Sequence, residues 1–179
     1  MPTIKNTTIE VVRGSVLDQD VDVIVNAANT MMRGGGGIDG AIHRAAGDKL
    51  LEELRRVTPK GSSTGEAIVT GGHDLKQQYI IHVAGPIYRN YDPDEAARLL
   101  AQCYSNALQA AEERALTSIG FCSISTGVYG YPLEEAAPLA LQTAQKYFHG
   151  RDSSIQRVIF AMFTAHEFAV FSEAAKVLL

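Results

Sequence analysis

The sequence predicts an α/β fold with helices on both faces of a largely parallel sheet. Three observations carry that expectation. Short runs rich in β-branched residues alternate with segments whose apolar residues recur at helical spacing. Two of the runs, AIVTGG and QYIIHVAGP, are short and apolar and close on glycine, as buried strands closed by turns do. No repeat, linker or low-complexity tract interrupts the 179 residues, a length that suits one domain over 1–179 with a sizeable core.

In chain order, TIEVVRGSV and VDVIVNAA (from Val21) read as the first two strands, and the first could pair antiparallel at a sheet edge. Ile38 to Val57 reads as one helix, because Ile38, Ile42, Ala45, Ala46, Leu50, Leu51 and Leu54 share helical spacing. Thr58, Pro59 and KGSSTG close it. AIVTGG and QYIIHVAGP follow as strands. A long helix to Ala115 starts with Asp92 as N-cap and Pro93 in the first turn. SIGFCSI is a buried strand. Pro132 opens the helix LEEAAPLALQTAQKYF, which Pro138 should bend or interrupt. IQRVIFAMF is the last strand and HEFAVFSEAAKVL the last helix.

Composition excludes several classes. Hydrophobic content of 46% and charged content of 20% describe a globular protein. A net charge of −4 without a basic run argues against a general nucleic-acid binder. The two cysteines, Cys103 and Cys122, are too far apart for a metal knuckle or redox pair, and their apolar settings suggest buried thiols. No cluster has zinc-ligand spacing, so no metal is expected. No stretch is long and apolar enough for a membrane span, and the start MPTIKNTTIE lacks a signal-peptide pattern. A cytoplasmic location is the expectation.

Two strand-to-helix loops carry the chemistry, at the sheet edge where open α/β sheets bind ligands. The first is NAANTMMRGGGGIDG, Asn26 to Gly40, with glycine at all four positions of Gly34–Gly37. Gly35–Gly40 formally satisfies the dinucleotide pattern G-x-G-x-x-G, but the ribose-binding acid expected about twenty residues on is missing. Hydride transfer is set aside. The second loop is Ser123 to Pro132, where Ser125, Thr126, Gly127 and Gly130 can present N–H groups and hydroxyls to an anion. Two such cradles at one edge suit a diphosphate. Without a Gly-Lys-Ser/Thr signature, P-loop phosphoryl transfer is not expected. On this reading valine at Gly36 or Gly127 abolishes binding, by removing φ > 0 freedom and crowding the ligand.

V-N-A-A-N at Val25–Asn29, G-G-G-G-I-D-G-A-I-H at Gly34–His43 and I-S-T-G-V-Y-G-Y-P at Ile124–Pro132 resemble the macrodomain family, and within it the MacroD-type ADP-ribose hydrolases. The likeness covers nearly the whole chain. It implies a three-layer α/β/α sandwich and ligands of the ADP-ribose class: O-acetyl-ADP-ribose and mono-ADP-ribose esters on protein carboxylates. It places Gly34, Gly35, Gly36, Gly37 and Ile38 by the diphosphate and distal ribose, with Asn26 also among the ligand contacts. Ser125, Thr126, Gly127 and Val128 match the second diphosphate loop, and Tyr129 the aromatic over the distal ribose. Phe163 matches an adenine-facing aromatic, and Asn29 with Asp39 the pair implicated in hydrolysis. No cofactor is implied.

This resemblance gives Asp39 a purpose. In a helix first turn an acid usually just complements the dipole, worth ~0.3–1 kcal/mol. Beside a diphosphate it is unfavourable unless it acts on water at the distal ribose, where a general base contributes ~10²–10⁴-fold. His43, one turn on, shares its face. One position departs from the family. Gly14-Ser15-Val16 has serine where aspartate usually accepts from the adenine amino group, so Ser15 and Val16 face adenine without a charge. Two rival readings are a module that binds ADP-ribose without turnover and an RNA- or nucleotide-binding protein. The Asn29–Asp39 pair weighs against the first, and the acidic balance against the second.

Overall fold

The computed structural model describes residues 2–179. Its strands are β1 (Thr3–Ile4), β2 (Thr7–Arg13), β3 (Val23–Ala28), β4 (Ala67–Gly71), β5 (Tyr79–Ala84), β6 (Ser118–Phe121) and β7 (Arg157–Met162). The helices are α1 (Gly37–Ala46), α2 (Lys49–Val57), α3 (Pro93–Glu113), α4 (Leu133–Phe148) and α5 (Ala165–Leu178). All strands join one sheet in the order β1-β2-β7-β6-β3-β5-β4. Its interior pairs are parallel, and the outermost pairs, β1–β2 and β4–β5, are antiparallel.

Side-chain alternation sorts the helices into two layers. Asn26 of β3 and its register partner His82 of β5 point to the α1 side, where Asn26 bonds Asp39 of α1. The opposite face is aromatic. Tyr104 of α3, Phe121 of β6, Phe160 of β7 and Phe171 of α5 form a chain of ring contacts 5.2, 5.3 and 5.9 Å apart between centroids. Helix α4 packs between α3 and α5. The fold is the expected three-layer α/β/α sandwich.

The layers fix where a ligand can enter. Strands β3 and β6 are neighbours, yet the chain leaves β3 towards α1 on one face and β6 towards α4 on the other. Their exits diverge and leave a crevice at the carboxyl edge.

Several expectations are corrected. The first strand is internal and parallel to β7, and only the two-residue β1 pairs with it antiparallel. The single helix over Ile38–Val57 is two, because Gly47 turns to φ +86 and ends α1. Any side chain at Gly47 would also meet Asp74 Oδ2 at 2.7 Å. The buried residues Ile42, Ala46, Leu50 and Leu54 keep their four-residue spacing across the break, which hides it. Ladder pairing in β6 stops at Phe121, although Cys122 and Ile124 stay buried. Helix α4 continues through Pro138, near enough to its start that the carbonyl left unpaired belongs to exposed Glu134. Asp92 caps α3 as expected, accepting from Glu95 N at 2.9 Å. Thr164 and Glu167 add a reciprocal capping box to α5.

Candidate active site

A cleft of about 320 Å³ occupies the crevice. Asn29, Gly35, Gly36, Gly37, Ile38 and Asp39 line one wall, and Ser123, Ser125, Gly127, Val128 and Tyr129 the other, with Gly85 at the floor.

The first wall is built by short bonds within its loop. Asn29 Nδ2 donates to Gly34 O at 3.2 Å, and Asn29 Oδ1 accepts from Met31 N at 3.1 Å. Arg33 staples the loop by donating to the carbonyls of Met31, Met32, Thr58 and Pro59. Gly36 then caps α1 and leads its amides into the cleft, a ready anion site.

Asp39 follows in the first turn and is only 5% exposed. Its Oδ1 accepts from Asn26 Nδ2 at 2.8 Å. His43 Nε2 stands 3.4 Å from the same oxygen, close enough to attract but outside hydrogen-bond geometry. Burial raises the Asp39 pKa above its ordinary value, opposed by the Asn26 amide and by His43. The second oxygen is turned to the cleft. A β-carbon at Gly35 would lie 3.2 Å from Asp39 Oδ2 and 3.3 Å from Asn29 Nδ2, so both groups border the space above that glycine.

The second wall is strained. Ser125 adopts φ +67, and its hydroxyl is buried without a partner beside the cleft. Strain and an orphaned polar group in one residue are features of ligand sites. Tyr131 N bonds Ser125 O at 2.9 Å, Gly130 N bonds Gly127 O at 3.0 Å, and Tyr88 N bonds Tyr129 O at 2.9 Å. The loop is held firmly. Gly85 is required beneath it, since a β-carbon there would fall 2.1 Å from Ser125 Oγ. Burial raises the Tyr129 phenol pKa, and the Asp39 charge adds to it.

Not every expected contact faces the cleft. Asn26 is fully buried and bonds only Asp39 and His82, so it supports the site from beneath and touches no ligand. Gly34 packs against the His43 ring, and the Thr126 hydroxyl is bound to Ser123 Oγ at 2.6 Å. Ser15 and Phe163 stand at the exits of the paired strands β2 and β7, further along the same edge. Ser15 Oγ caps a 3-10 turn by accepting from Leu17 N at 3.2 Å. Val16 is buried, leaving its side chain no part in adenine contact, while Phe163 is 71% exposed. Neither Gly36, at φ −93, nor Gly127 is among the positive-φ residues, so the conformational half of the valine expectation is wrong. Sequence reasoning missed Gly85 and His82, because neither sits in a motif and each matters through a neighbour distant in sequence. Both cysteines are buried free thiols, each pushed up to about 12 by burial.

Residues 25–140, which contain both walls, match the sequence profile of the Macro domain. The chain belongs to the Macro domain family. A Macro domain-containing protein of Caldanaerobacter subterraneus is 45% identical over 168 residues, 93% of this chain and 94% of the relative. ADP-ribose glycohydrolase MACROD2 of Xenopus laevis is 43% identical over 94% of this macrodomain, which spans 40% of that longer protein. Among solved structures, the Oceanobacillus iheyensis macrodomain with ADP superposes with a TM-score of 0.92 at 43% identity, covering 99% of this chain and 94% of that one. A glycine-to-valine variant of the same protein was solved with ADPR.

Proposed function

We propose that this macrodomain binds ADP-ribose in the cleft and hydrolyses esters of its distal ribose, O-acetyl-ADP-ribose or mono-ADP-ribose on protein carboxylates. The observation that carries the reading is the convergence of Asp39 Oδ2 and Asn29 Nδ2 on the space above Gly35, at one end of a groove walled by two amide-rich loops. The diphosphate lies between the α1 N-terminus and the Ser125–Gly130 loop, where backbone N–H groups face it. Val128 is 94% exposed at the rim and is covered by the ligand. The distal ribose then reaches Tyr129 and the Asn29–Asp39 pair, and the base extends towards Ser15 and Phe163.

In the reaction one water adds across the ester, giving ADP-ribose and a free carboxylic acid. Asp39 accepts the water proton as the new bond forms and returns it to the departing oxygen as the ester bond breaks, while Asn29 holds the water and the ribose hydroxyls in line. The raised pKa of Asp39 makes it a better base than an exposed carboxylate at the same pH. The likeness to an ADP-ribose glycohydrolase and to macrodomains solved with ADP and ADPR supports the ligand class.

Calorimetry with ADP-ribose, followed by product analysis on O-acetyl-ADP-ribose, tests both halves. The expected result is saturable binding and release of acetate with ADP-ribose. Binding without product would leave an ADP-ribose-binding module; no binding would overturn the reading altogether.

A further inference from the structure

A buried polar chain runs beneath Asp39, away from the cleft. Asn26 Nδ2 lies 2.8 Å from Asp39 Oδ1 and 3.0 Å from His82 Nδ1. His82 Nε2 lies 2.9 Å from Thr70 Oγ1, which donates to Gly71 O at 3.1 Å. Asn26 and His82 are both sealed from solvent.

The donors and acceptors determine one another. The Asn26 amide nitrogen carries two N–H groups, one for Asp39 and one for His82. His82 Nδ1 is therefore bare, and the ring proton sits on Nε2, donated to Thr70. Thr70 passes its own proton to Gly71 O. Burial, with the nearby His43, holds the His82 pKa down at about 3, so the ring is neutral, as this pattern requires.

The arrangement leaves the Asn26 oxygen buried without a partner. Such an orphan is costly, and a chain built only to fill the core would avoid it. Reversing the amide would put its oxygen against both the Asp39 carboxylate and a bare ring nitrogen. That state becomes acceptable only if Asp39 is protonated and the His82 proton moves to Nδ1.

We infer that Asn26 and His82 are positioning residues for Asp39: the bare Nδ1 of His82 fixes the Asn26 amide with its N–H groups on Asp39 Oδ1, which holds that carboxylate with Oδ2 at the cleft. The inference rests on Asp39 being the group that acts on water. Hydrogen bonding to the charged form favours it, so the chain also keeps Asp39 ionised against its burial. Other titratable groups facing Asp39 are His43 on its own helix, Tyr129 on the second loop and Cys122 after β6; burial pushes the last two upward, away from the acid range.

Two substitutions separate positioning from mere packing. In His82→Asn the new side-chain oxygen takes the place of Nδ1 and still accepts from Asn26; in His82→Leu nothing accepts. Carbon-detected NMR of the Asp39 carboxyl in the ligand-free protein reads the titration directly. His82→Asn should titrate as the parent does, and His82→Leu should titrate at least about one pH unit higher. With O-acetyl-ADP-ribose, kcat of His82→Leu should fall about tenfold or more while KM and ADP-ribose affinity hold, with His82→Asn restoring most of the loss. Equal Asp39 titration in the two variants, or an unchanged kcat in folded His82→Leu, overturns the inference. Long-range nitrogen–proton NMR on the unmodified protein decides it without any variant: a proton on His82 Nε2 supports it, and a proton on Nδ1 overturns it. Because the NMR readouts need no turnover, they also separate failure of this inference from failure of the hydrolase reading.

Discussion

If Asp39 is the base of the proposed hydrolysis, stability and chemistry conflict in one side chain. Its pKa is raised in the folded protein, so the fold favours its protonated form. The contribution of the protonated group to stability is full below the ordinary carboxylate value of 3.8 and is lost as pH rises through the raised folded value. At neutral pH the parent therefore bears the cost of a buried charge. Asp39→Asn keeps an acceptor for Asn26 and removes that charge. Its melting temperature should exceed the parent's at pH 7, with the gap narrowing on acidification through the carboxylate range. A variant less stable than the parent at pH 7 would contradict this. Ser15 tests the other end of the groove. Aspartate also caps turns well, so Ser15→Asp should fold normally, tighten ADP-ribose binding and sharpen preference for adenine over hypoxanthine. Calorimetry with both ligands checks it; unchanged values would remove Ser15 from the base site.

Among the elements, the loops after β3 and β6 do different work and fail differently. The Ser125 loop rests on Gly85, where a methyl group would overlap the serine hydroxyl. Gly85→Ala should displace Ser125 and weaken ADP-ribose binding about tenfold or more, an effect measurable by calorimetry on a variant whose circular dichroism is unchanged. Parental affinity would show that Ser125 is not a ligand contact. At Gly36 and Gly127 an added β-carbon meets nothing within 4 Å. Valine there should leave folding intact and act on the ligand alone. Neither glycine has a positive φ, so the added side chain only occupies ligand space, and the expected effect is weakened binding and slowed turnover, not the complete loss that a forced φ would cause. The loop sequences marked both walls as candidates, the first by four glycines between a strand and a helix and the second by serine, threonine and two glycines after a buried strand. The helix break at Gly47 was not legible, since the apolar spacing passes through it unchanged. The parallel place of β2 was equally hidden, because pairing partners far apart in sequence leave no local mark.

Across the whole molecule the sheet separates two jobs. The Tyr104–Phe121–Phe160–Phe171 cluster fills one face with apolar contacts, while the other face holds the Asn26–His82–Thr70 chain under the cleft. Alternation of strands and helices was enough to predict the layers and the edge at which the cleft lies. It was not enough to find His82, which in the run QYIIHVAGP looks like one polar residue in a buried strand. Its meaning comes from register, which sets it opposite Asn26. The account as a whole depends on whether the Asp39–Asn29 end of the cleft does chemistry, and one set of measurements addresses that most directly: steady-state kinetics on O-acetyl-ADP-ribose together with ADP-ribose binding, for the parent, Asp39→Ala, Asn29→Ala and the double variant. Asp39→Ala should lose ~10²-fold or more in turnover, the scale of a missing general base, with affinity held or improved as a negative charge leaves the anion site. Asn29→Ala should lose turnover and some affinity, since the Gly34 and Met31 bonds go with it. The double variant should lose less than the product of the single losses, as groups sharing one water do. Turnover by Asp39→Ala at the parental rate would contradict the account.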